Sequence, residues 1–110
     1  MDKVCTLRSK IQFKNVYENG KSYGNRLLVM YISKNKLDYN RVGFAVTKKI
    51  GNSVIRNKVR RRMKESYRVN RLKIKEGYDL IFIPKINSRN SNYQQIESAM
   101  LHLFKITHLL

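Results

Sequence analysis

The sequence predicts an α+β fold, an α/β sandwich in which helices pack on a small central sheet. Short segments that alternate between apolar residues and small or polar residues, such as residues 41–47, indicate strands with a buried face. Between two such strands, apolar residues repeat at i, i+4, which indicates a helix that buries one apolar side. The resulting order is helix, two or three strands, helix, strand and helix, which is typical of helices packed on one sheet.

The composition predicts a single domain over residues 1–110 with a nucleic-acid partner. Lys and Arg number 24 against 7 Asp and Glu, a net charge of +17, which indicates a polyanion such as nucleic acid first and an anionic membrane second. The longest apolar run, residues 27–32, is too short to span a bilayer, so we expect no membrane partner. Cys5 is the single cysteine and the N-terminus lacks a signal-peptide pattern, so we expect a cytoplasmic protein without a disulfide.

The first helix is expected over Ser9–Asn19, because Gly20 is typical of the position after a helix end. Phe13 and Tyr17 lie one turn apart on its apolar face. Two aromatic residues on a short helix favour a core role. The alternative is stacking on the bases of single-stranded nucleic acid, which such rings also support.

The strands follow in the next third of the chain. Residues 21–25 are expected to form a turn or a short edge strand, and residues 26–33 a strand with apolar side chains on both faces. A polar hairpin loop, residues 34–40, leads to a strand over residues 41–47. On one face of that last strand the side chains are small, which predicts a groove beside the sheet; these residues are Gly43, Ala45 and Thr47.

A strongly basic helix is predicted from about Val54 to Val69 or Asn70, with Gly51-Asn52-Ser53 supplying a turn and an N-cap. One side carries an apolar stripe that can bury against a core and fix the helix. The stripe consists of Ile55, Val59, Met63 and Tyr67.

The opposite side of this helix is one-sidedly basic. Residues 48–68 contain nine Lys or Arg and one acid, Glu65. Like-charge pairs at i, i+4 each cost about 0.2–0.5 kcal/mol, and cations in the first turn oppose the helix dipole. Helix stability therefore does not explain the pattern, whereas binding to a polyanion does. The alternative is a solvated charged face.

The last third of the chain predicts a strand over residues 78–83, ended by Pro84, and a helix over residues 93–107 capped by Asn92. Loops are expected at residues 71–77 and 85–92. The strands before and after the basic helix are expected to be parallel, and a generic crossover of this kind is right-handed. The inward face of the last helix is predicted to be Ile96, Ala99, Met100, Leu103 and Thr107.

No catalytic or metal centre is predicted. His102 and His108 lie six residues apart, which is not the i, i+4 spacing of a metal-binding pair on a helix. The seven acids are scattered and form no paired-carboxylate motif for metal-assisted phosphodiester cleavage. Gly43 and Gly51 do not fit the spacing of a phosphate-binding loop. The expected function is therefore binding.

The segment 41–68, RVGFAVTKKIGNSVIRNKVRRRMKESYR, resembles the signature of the protein subunit of bacterial ribonuclease P. That family has K-K-x-G-N-[AS]-V-x-R-N-[RK] on a helix after a strand. The motif here is Arg56-Asn57-Lys58, and Lys58 keeps the charge of the usual Arg but lacks its planar fork. Upstream residues also fit the family pattern, namely Leu7, Arg8, Phe13, Val16, Tyr17, Gly20, Asn25, Arg26 and Tyr31.

The resemblance implies an α-β-β-β-α-β-α order with an unusual left-handed βαβ crossover. It also implies a small protein that assists a catalytic RNA. In the family, that RNA uses Mg²⁺ to hydrolyse the phosphodiester at the 5′ end of precursor tRNA. The protein itself would carry no cofactor and would require no protein partner.

The resemblance also assigns two sets of site residues. The basic helix and the loop before it would contact the catalytic RNA, and a cleft between the first helix and the sheet would hold the 5′ leader of precursor tRNA. The RNA-binding residues would be Lys48, Lys49, Asn52, Arg56, Asn57, Lys58, Arg60, Arg61, Lys64 and Arg68. The leader-cleft residues would be Phe13, Tyr17, Asn25, Arg26, Tyr31 and Thr47.

Three rival functions have distinct sequence signals. A structural RNA-binding protein of the ribosomal type has a similar composition, and only the motif separates it from the first interpretation. A sequence-specific DNA-binding domain would have a helix-turn-helix pair, whereas strands flank this basic helix. A protein-only nuclease would need the carboxylate cluster that the sequence lacks.

Overall fold

The computed structural model describes residues 4–110, and these fold into one four-stranded sheet with three α-helices. The order confirms the predicted α+β class and its α-β-β-β-α-β-α arrangement. Short 3₁₀ turns at Lys48–Ile50, Arg71–Lys73 and Ile86–Asn90 join some of the elements. The helices and strands are α1 (Lys10–Asn19), β1 (Lys21–Gly24), β2 (Leu28–Lys34), β3 (Arg41–Phe44), α2 (Ser53–Asn70), β4 (Tyr78–Pro84) and α3 (Tyr93–Ile106).

The sheet has the strand order β1-β2-β4-β3. β2 is antiparallel to both β1 and β4, with Tyr31 opposite Ile81 in the second pair. β3 and β4, the strands before and after α2, are parallel, with Val42 opposite Leu80. The predicted parallel pairing is therefore confirmed, while the left hand of the crossover stays a prediction.

Side-chain caps define where the helices begin. Ser9 and Gln12 form a capping box at the start of α1, and Asn92 and Gln95 form another at the start of α3. The Asn52 side chain accepts the Ile55 N–H at 3.0 Å and so caps α2. α2 therefore begins at Ser53, one residue earlier than expected.

Two strands are shorter than their apolar patterns predicted. β2 begins at Leu28 because the Asn25 side chain accepts the backbone N–H of both Leu27 and Leu28, which bends the chain before the strand. β3 ends at Phe44 rather than Thr47. After the Ala45 N–H donates to the Phe82 carbonyl, the chain leaves the sheet for the Lys48–Ile50 turn.

The larger core lies between the sheet and the helices α2 and α3. Val59, Met63 and Tyr67 of the predicted stripe are buried there, and Ile55 is half-buried. The Tyr67 ring lies against Phe44 and Phe82, with centroid distances of 6.4 and 6.2 Å. Burial among these groups raises the pKa of Tyr67 to about 12. The stripe thus fixes the rotation of α2 about its axis.

The opposite face of the sheet is covered by α1 and a smaller apolar cluster. Leu7, Val16 and Ile81 are buried in it, and Phe13 packs against them. The Phe13 ring lies directly on Gly43, because a Cβ atom added there would stand 2.5 Å from the ring. The open space that the small residues of β3 predicted is therefore filled by Phe13 at this position.

The turn between β1 and β2 is tied to α3 through one side chain. The Asn25 amide donates to the Ala99 carbonyl at 2.9 Å and contacts the His102 ring at 3.1 Å. Its oxygen accepts the two backbone N–H groups at the start of β2 described above. A single half-buried carboxamide therefore holds together two elements 74 residues apart in sequence.

We predict that Gly43→Ala destabilises the protein by about 1–3 kcal/mol, because the new methyl group would displace the Phe13 ring. Gly24→Ala is the matched control. Its added Cβ would have ordinary contacts, the nearest at 3.6 Å. Urea unfolding of both variants measures the difference, and equal free energies of unfolding would refute the packing argument.

We predict that Asn25→Ala lowers the free energy of unfolding by about 1–3 kcal/mol, because half-buried backbone groups of β2 and α3 lose their partner. The exposed Asn90, for which the structure gives no side-chain hydrogen bond, serves as the control site for the same substitution. Thermal unfolding of the two variants checks this. A loss no larger for Asn25→Ala than for Asn90→Ala would contradict it.

Candidate nucleic-acid interface

The basic side of α2 faces solvent because the stripe on its other side is buried. Arg56 and Arg60 are half-buried along the edge of the stripe. The exposed members of the predicted RNA-binding set on this helix are Asn57, Lys58, Arg61, Lys64 and Arg68. We call the outward side of α2, formed by these seven residues, the basic face. It combines high positive charge with a rigid support, as phosphate binding requires.

Two hydrogen bonds within the basic face orient its side chains. The Arg60 guanidinium donates to the Asn57 carboxamide oxygen at 2.9 Å. The amide hydrogens of Asn57 therefore point away from Arg60. The Arg68 guanidinium donates to Glu65 at 2.6 Å, and this contact lowers the pKa of the exposed Glu65 carboxyl. The charge of Arg68 is thus partly offset locally, whereas Lys58, Arg61 and Lys64 have no ion pair among the described residues.

Arg62 has a structural role that the sequence analysis did not identify. Its guanidinium donates to the Ser91 carbonyl and so ties α2 to the chain just before α3. On a helix, position 62 is 100° from Met63 and therefore borders the buried stripe. This position beside the stripe could have indicated the role from the sequence. A long side chain there can lie along the apolar surface and hold its charged head at the edge of that surface.

The segment before α2 presents two further cations. Lys48 and Lys49 are exposed in the 3₁₀ turn, while the adjacent Ile50 is buried and anchors it. Gly51 then reverses the chain with φ of 148°, a conformation that side chains rarely adopt. The side-chain oxygen of Asn52 is engaged as the α2 cap, so only its amide hydrogens point away from the cap.

The aromatic residues of the predicted cleft are brought together on the α1 face of the sheet. The Tyr17 and Tyr31 rings meet edge to face, with centroids 4.9 Å apart. Tyr17 is 39% exposed, and partial burial, with Tyr31 as the second cause, raises its pKa. Phe13 is half-buried on Gly43 and contributes mainly to packing. We call the surface around Tyr17 and Tyr31 the tyrosine cleft.

The other three predicted cleft residues lie elsewhere. Thr47 is exposed beyond the end of β3, where it lines a hollow of about 480 Å³ together with Lys49 and Ile83. Asn25 and Arg26 line a different hollow, of about 570 Å³, between the β1–β2 turn and α3. Because α3 covers the face of the sheet opposite α1, the structure does not bring Asn25 and Arg26 together with the tyrosines.

A small hollow beside β3 lies between Phe13 of α1 and the basic face. It measures about 250 Å³ and is lined by Phe13 and Gly43 on one side and by Arg60 and Lys64 on the other. Side chains of α1 and of the basic face therefore meet at one hollow, whose lining contains no carboxylate. This proximity was not predictable from the sequence, because it depends on how α1 and α2 pack on opposite faces of the sheet.

Among residues 4–110, no three His, Cys, Asp or Glu side chains lie close enough to hold a metal ion. None of the helices described over the same residues is long and apolar enough to cross a membrane.

Comparison with known proteins identifies the family. The family model for ribonuclease P matches residues 1–108. The ribonuclease P protein component of Alkaliphilus metalliredigens is 50% identical over 104 residues, which cover 94% of each chain. The protein of the same name from Clostridium botulinum strain Loch Maree is 52% identical over 100 residues, 90% of each chain.

Solved structures agree with the sequence relatives. The ribonuclease P protein of Staphylococcus aureus superposes with a TM-score of 0.88 at 32% identity and covers 97% of this chain and 98% of its own. The Thermotoga maritima protein gives a TM-score of 0.84 at 31% identity, with 91% and 94% covered. From its sequence and its fold, the chain belongs to the ribonuclease P protein family.

Proposed function

We propose that this chain assists 5′ maturation of tRNA by holding the catalytic RNA of ribonuclease P on its basic face and the 5′ leader of precursor tRNA in its tyrosine cleft. Family membership makes the chain a ribonuclease P protein subunit, with RNA binding and tRNA processing as its function. The division of labour between the two surfaces, and the leader as ligand, are the proposal. The observation that carries it is the rigid outward presentation of the basic face by a buried stripe.

The basic face suits the backbone of a structured RNA. Lys58, Arg61 and Lys64, which form no ion pair within residues 4–110, lie on one side of a continuous helix of 18 residues. Phosphate contacts of this kind give affinity and register without reading sequence. They also reduce the repulsion between two RNAs that must meet at the same place.

The tyrosine cleft suits an unpaired strand. Tyr17 presents a partly exposed ring that Tyr31 orients by an edge-to-face contact. Bases of single-stranded RNA stack on such rings, each stack contributing about 1–3 kcal/mol. The cleft would therefore favour precursor tRNA over mature tRNA, which lacks the leader.

Cleavage itself is assigned to the RNA subunit and its Mg²⁺ ions. The described residues include no metal-binding cluster, and the protein's contribution would be positional. Better placement of the scissile phosphate raises the rate without a protein catalytic group. We also place this function in the cytoplasm, as the single free Cys5 favours a reducing compartment.

A second candidate function is that of a structural RNA-binding protein with no role in cleavage. The basic face alone favours it, since phosphate contacts are common to both functions. The two differ only in whether the tyrosine cleft has a ligand.

We predict that the reconstituted holoenzyme binds precursor tRNA more tightly than mature tRNA, and that Tyr17→Ala reduces this preference by about 1–3 kcal/mol. Binding titrations at one fixed salt concentration measure both affinities. Tyr39→Ala is the matched control, because Tyr39 has a similar exposure, 43% against 39%, in the β2–β3 loop. A precursor preference that survives Tyr17→Ala, or that Tyr39→Ala lowers equally, would contradict the cleft assignment and favour the second candidate.

A further inference from the structure

The hollow between the β1–β2 turn and α3 is lined by the Asn25 carboxamide, whose oxygen and nitrogen both form hydrogen bonds. The Asn25 oxygen accepts two backbone N–H groups, from Leu27 at 3.2 Å and from Leu28 at 3.0 Å. Since those groups can only donate, the orientation of the amide is fixed. Its nitrogen therefore faces α3, where it donates one hydrogen to the Ala99 carbonyl.

The second hydrogen of this amide fixes the state of the His102 ring. The Asn25 nitrogen lies 3.1 Å from Nδ1 of His102, and a nitrogen that receives an N–H must act as the acceptor. On the neutral imidazole the proton then resides on Nε2. His102 is exposed, so its Nε2–H is a donor held in one orientation at the rim of the hollow.

The remaining lining of the hollow is rich in donors and lacks negative charge. Arg26 is its one charged residue, and its neighbours include the Ser98 hydroxyl and the Gln94 amide. The nearest acid in sequence, Glu97, accepts hydrogen bonds from Asn70 of α2 and from Tyr93 of its own helix. An anion at Arg26 would therefore meet a cation and neutral donors, with no lining carboxylate to repel it.

We propose that Arg26, the His102 Nε2–H and Ser98 form a phosphodiester-binding site that grips the backbone of the catalytic RNA on the α3 side of the molecule. The proposal rests on the proposed function and extends it to a surface outside the basic face and the tyrosine cleft. Asn25 is a positioning residue in it, because it orients both the turn that carries Arg26 and the imidazole ring.

The position of the hollow favours the catalytic RNA over the leader as its ligand. The β1–β2 turn is joined to the segment after β4 by the Lys85 N–H bond to the Leu27 carbonyl, 2.8 Å. That segment continues into the 3₁₀ turn Ile86–Asn90, which packs against α2 and the Lys48–Ile50 turn. The hollow and the start of the basic face thus lie at the same end of the sheet, whereas α1 and the tyrosines lie on its other face.

The test measures the affinity of the protein for ribonuclease P RNA without tRNA, as a function of salt concentration at pH 8. Arg26→Gln is expected to weaken binding about tenfold, and to lower the slope of log Kd against log salt by about 0.7–0.9, the loss of one phosphate contact. His102→Ala is expected to weaken binding about two- to fivefold with an unchanged slope, because a neutral donor is removed.

Controls separate this site from general charge and from folding. Lys73→Gln, an exposed cation beyond the far end of α2, and His108→Ala, the other exposed histidine, are expected to change affinity less than twofold. Thermal unfolding of Arg26→Gln is expected to match that of the unaltered protein. Long-range ¹H–¹⁵N spectra of the free protein are expected to show the Nε2–H form of His102, and the other tautomer would overturn the assigned geometry.

Each remaining outcome is decisive. Wild-type affinity and slope in Arg26→Gln would overturn the site. A normal affinity for the catalytic RNA, combined with a reduced preference for precursor over mature tRNA, would also overturn it and assign Arg26 to the leader. If the unaltered protein fails to bind the catalytic RNA at all, the proposed function fails, a result distinct from the loss of this site alone.

Discussion

The packing of one apolar stripe on the sheet determines where the charge of this protein points. Val59, Met63 and Tyr67 are buried against the sheet, and the Tyr67 ring packs against both Phe44 and Phe82. Burying three such side chains contributes several kcal/mol, about 1.5–3 kcal/mol each, which outweighs the repulsion of about 0.2–0.5 kcal/mol between neighbouring cations. The helix can therefore carry cations that its own stability does not favour. A rotation of α2 about its axis by one residue, 100°, would bury charged side chains against the sheet. The basic face is therefore held pointing away from the sheet.

Packing on the sheet also fixes the position of the tyrosine cleft. Because both of its faces are covered, α1 is placed by the contact of Phe13 with Gly43 and cannot slide along β3 without a clash. Tyr17 follows Phe13 by one helical turn and so arrives over Tyr31. The packing of α1 on one face of the sheet and of α2 on the other thus sets the distance between the basic face and the tyrosine cleft. The hollow lined by Phe13, Gly43, Arg60 and Lys64 lies between these two helices.

Local signals in the sequence predicted most of the fold. Capping residues such as Asn52 and Asn92, the glycine that follows the first helix and the i, i+4 stripe of α2 act through neighbours in the chain, so they can be interpreted from one sequence. The end of β3 could not be predicted, since the residues after Phe44 remain suited to a strand and leave the sheet for tertiary reasons. The basic face followed from helical periodicity, apart from Arg62, whose partner Ser91 is 29 residues away.

The tyrosine cleft and the surroundings of Asn25 depended on contacts that no local pattern contains. The family resemblance placed Asn25 and Arg26 with the tyrosines. In the fold, the Asn25 amide faces Ala99 and His102, which are 74 and 77 residues later in the chain. Small residues on β3 indicated free space, but they could not show that the ring of Phe13 would occupy it.

We expect the basic face to bind the catalytic RNA through phosphate contacts. The most direct measurement is the salt dependence of affinity for that RNA in a variant with Lys58→Gln, Arg61→Gln and Lys64→Gln. A control variant carries Lys73→Gln, Lys75→Gln and Lys105→Gln, which removes the same charge outside α2. We expect the slope of log Kd against log salt to fall by about 2–3 in the first variant and by less than 1 in the control, with folding intact in both. Equal slopes in the two variants would contradict it, because net charge and not the basic face would then govern binding.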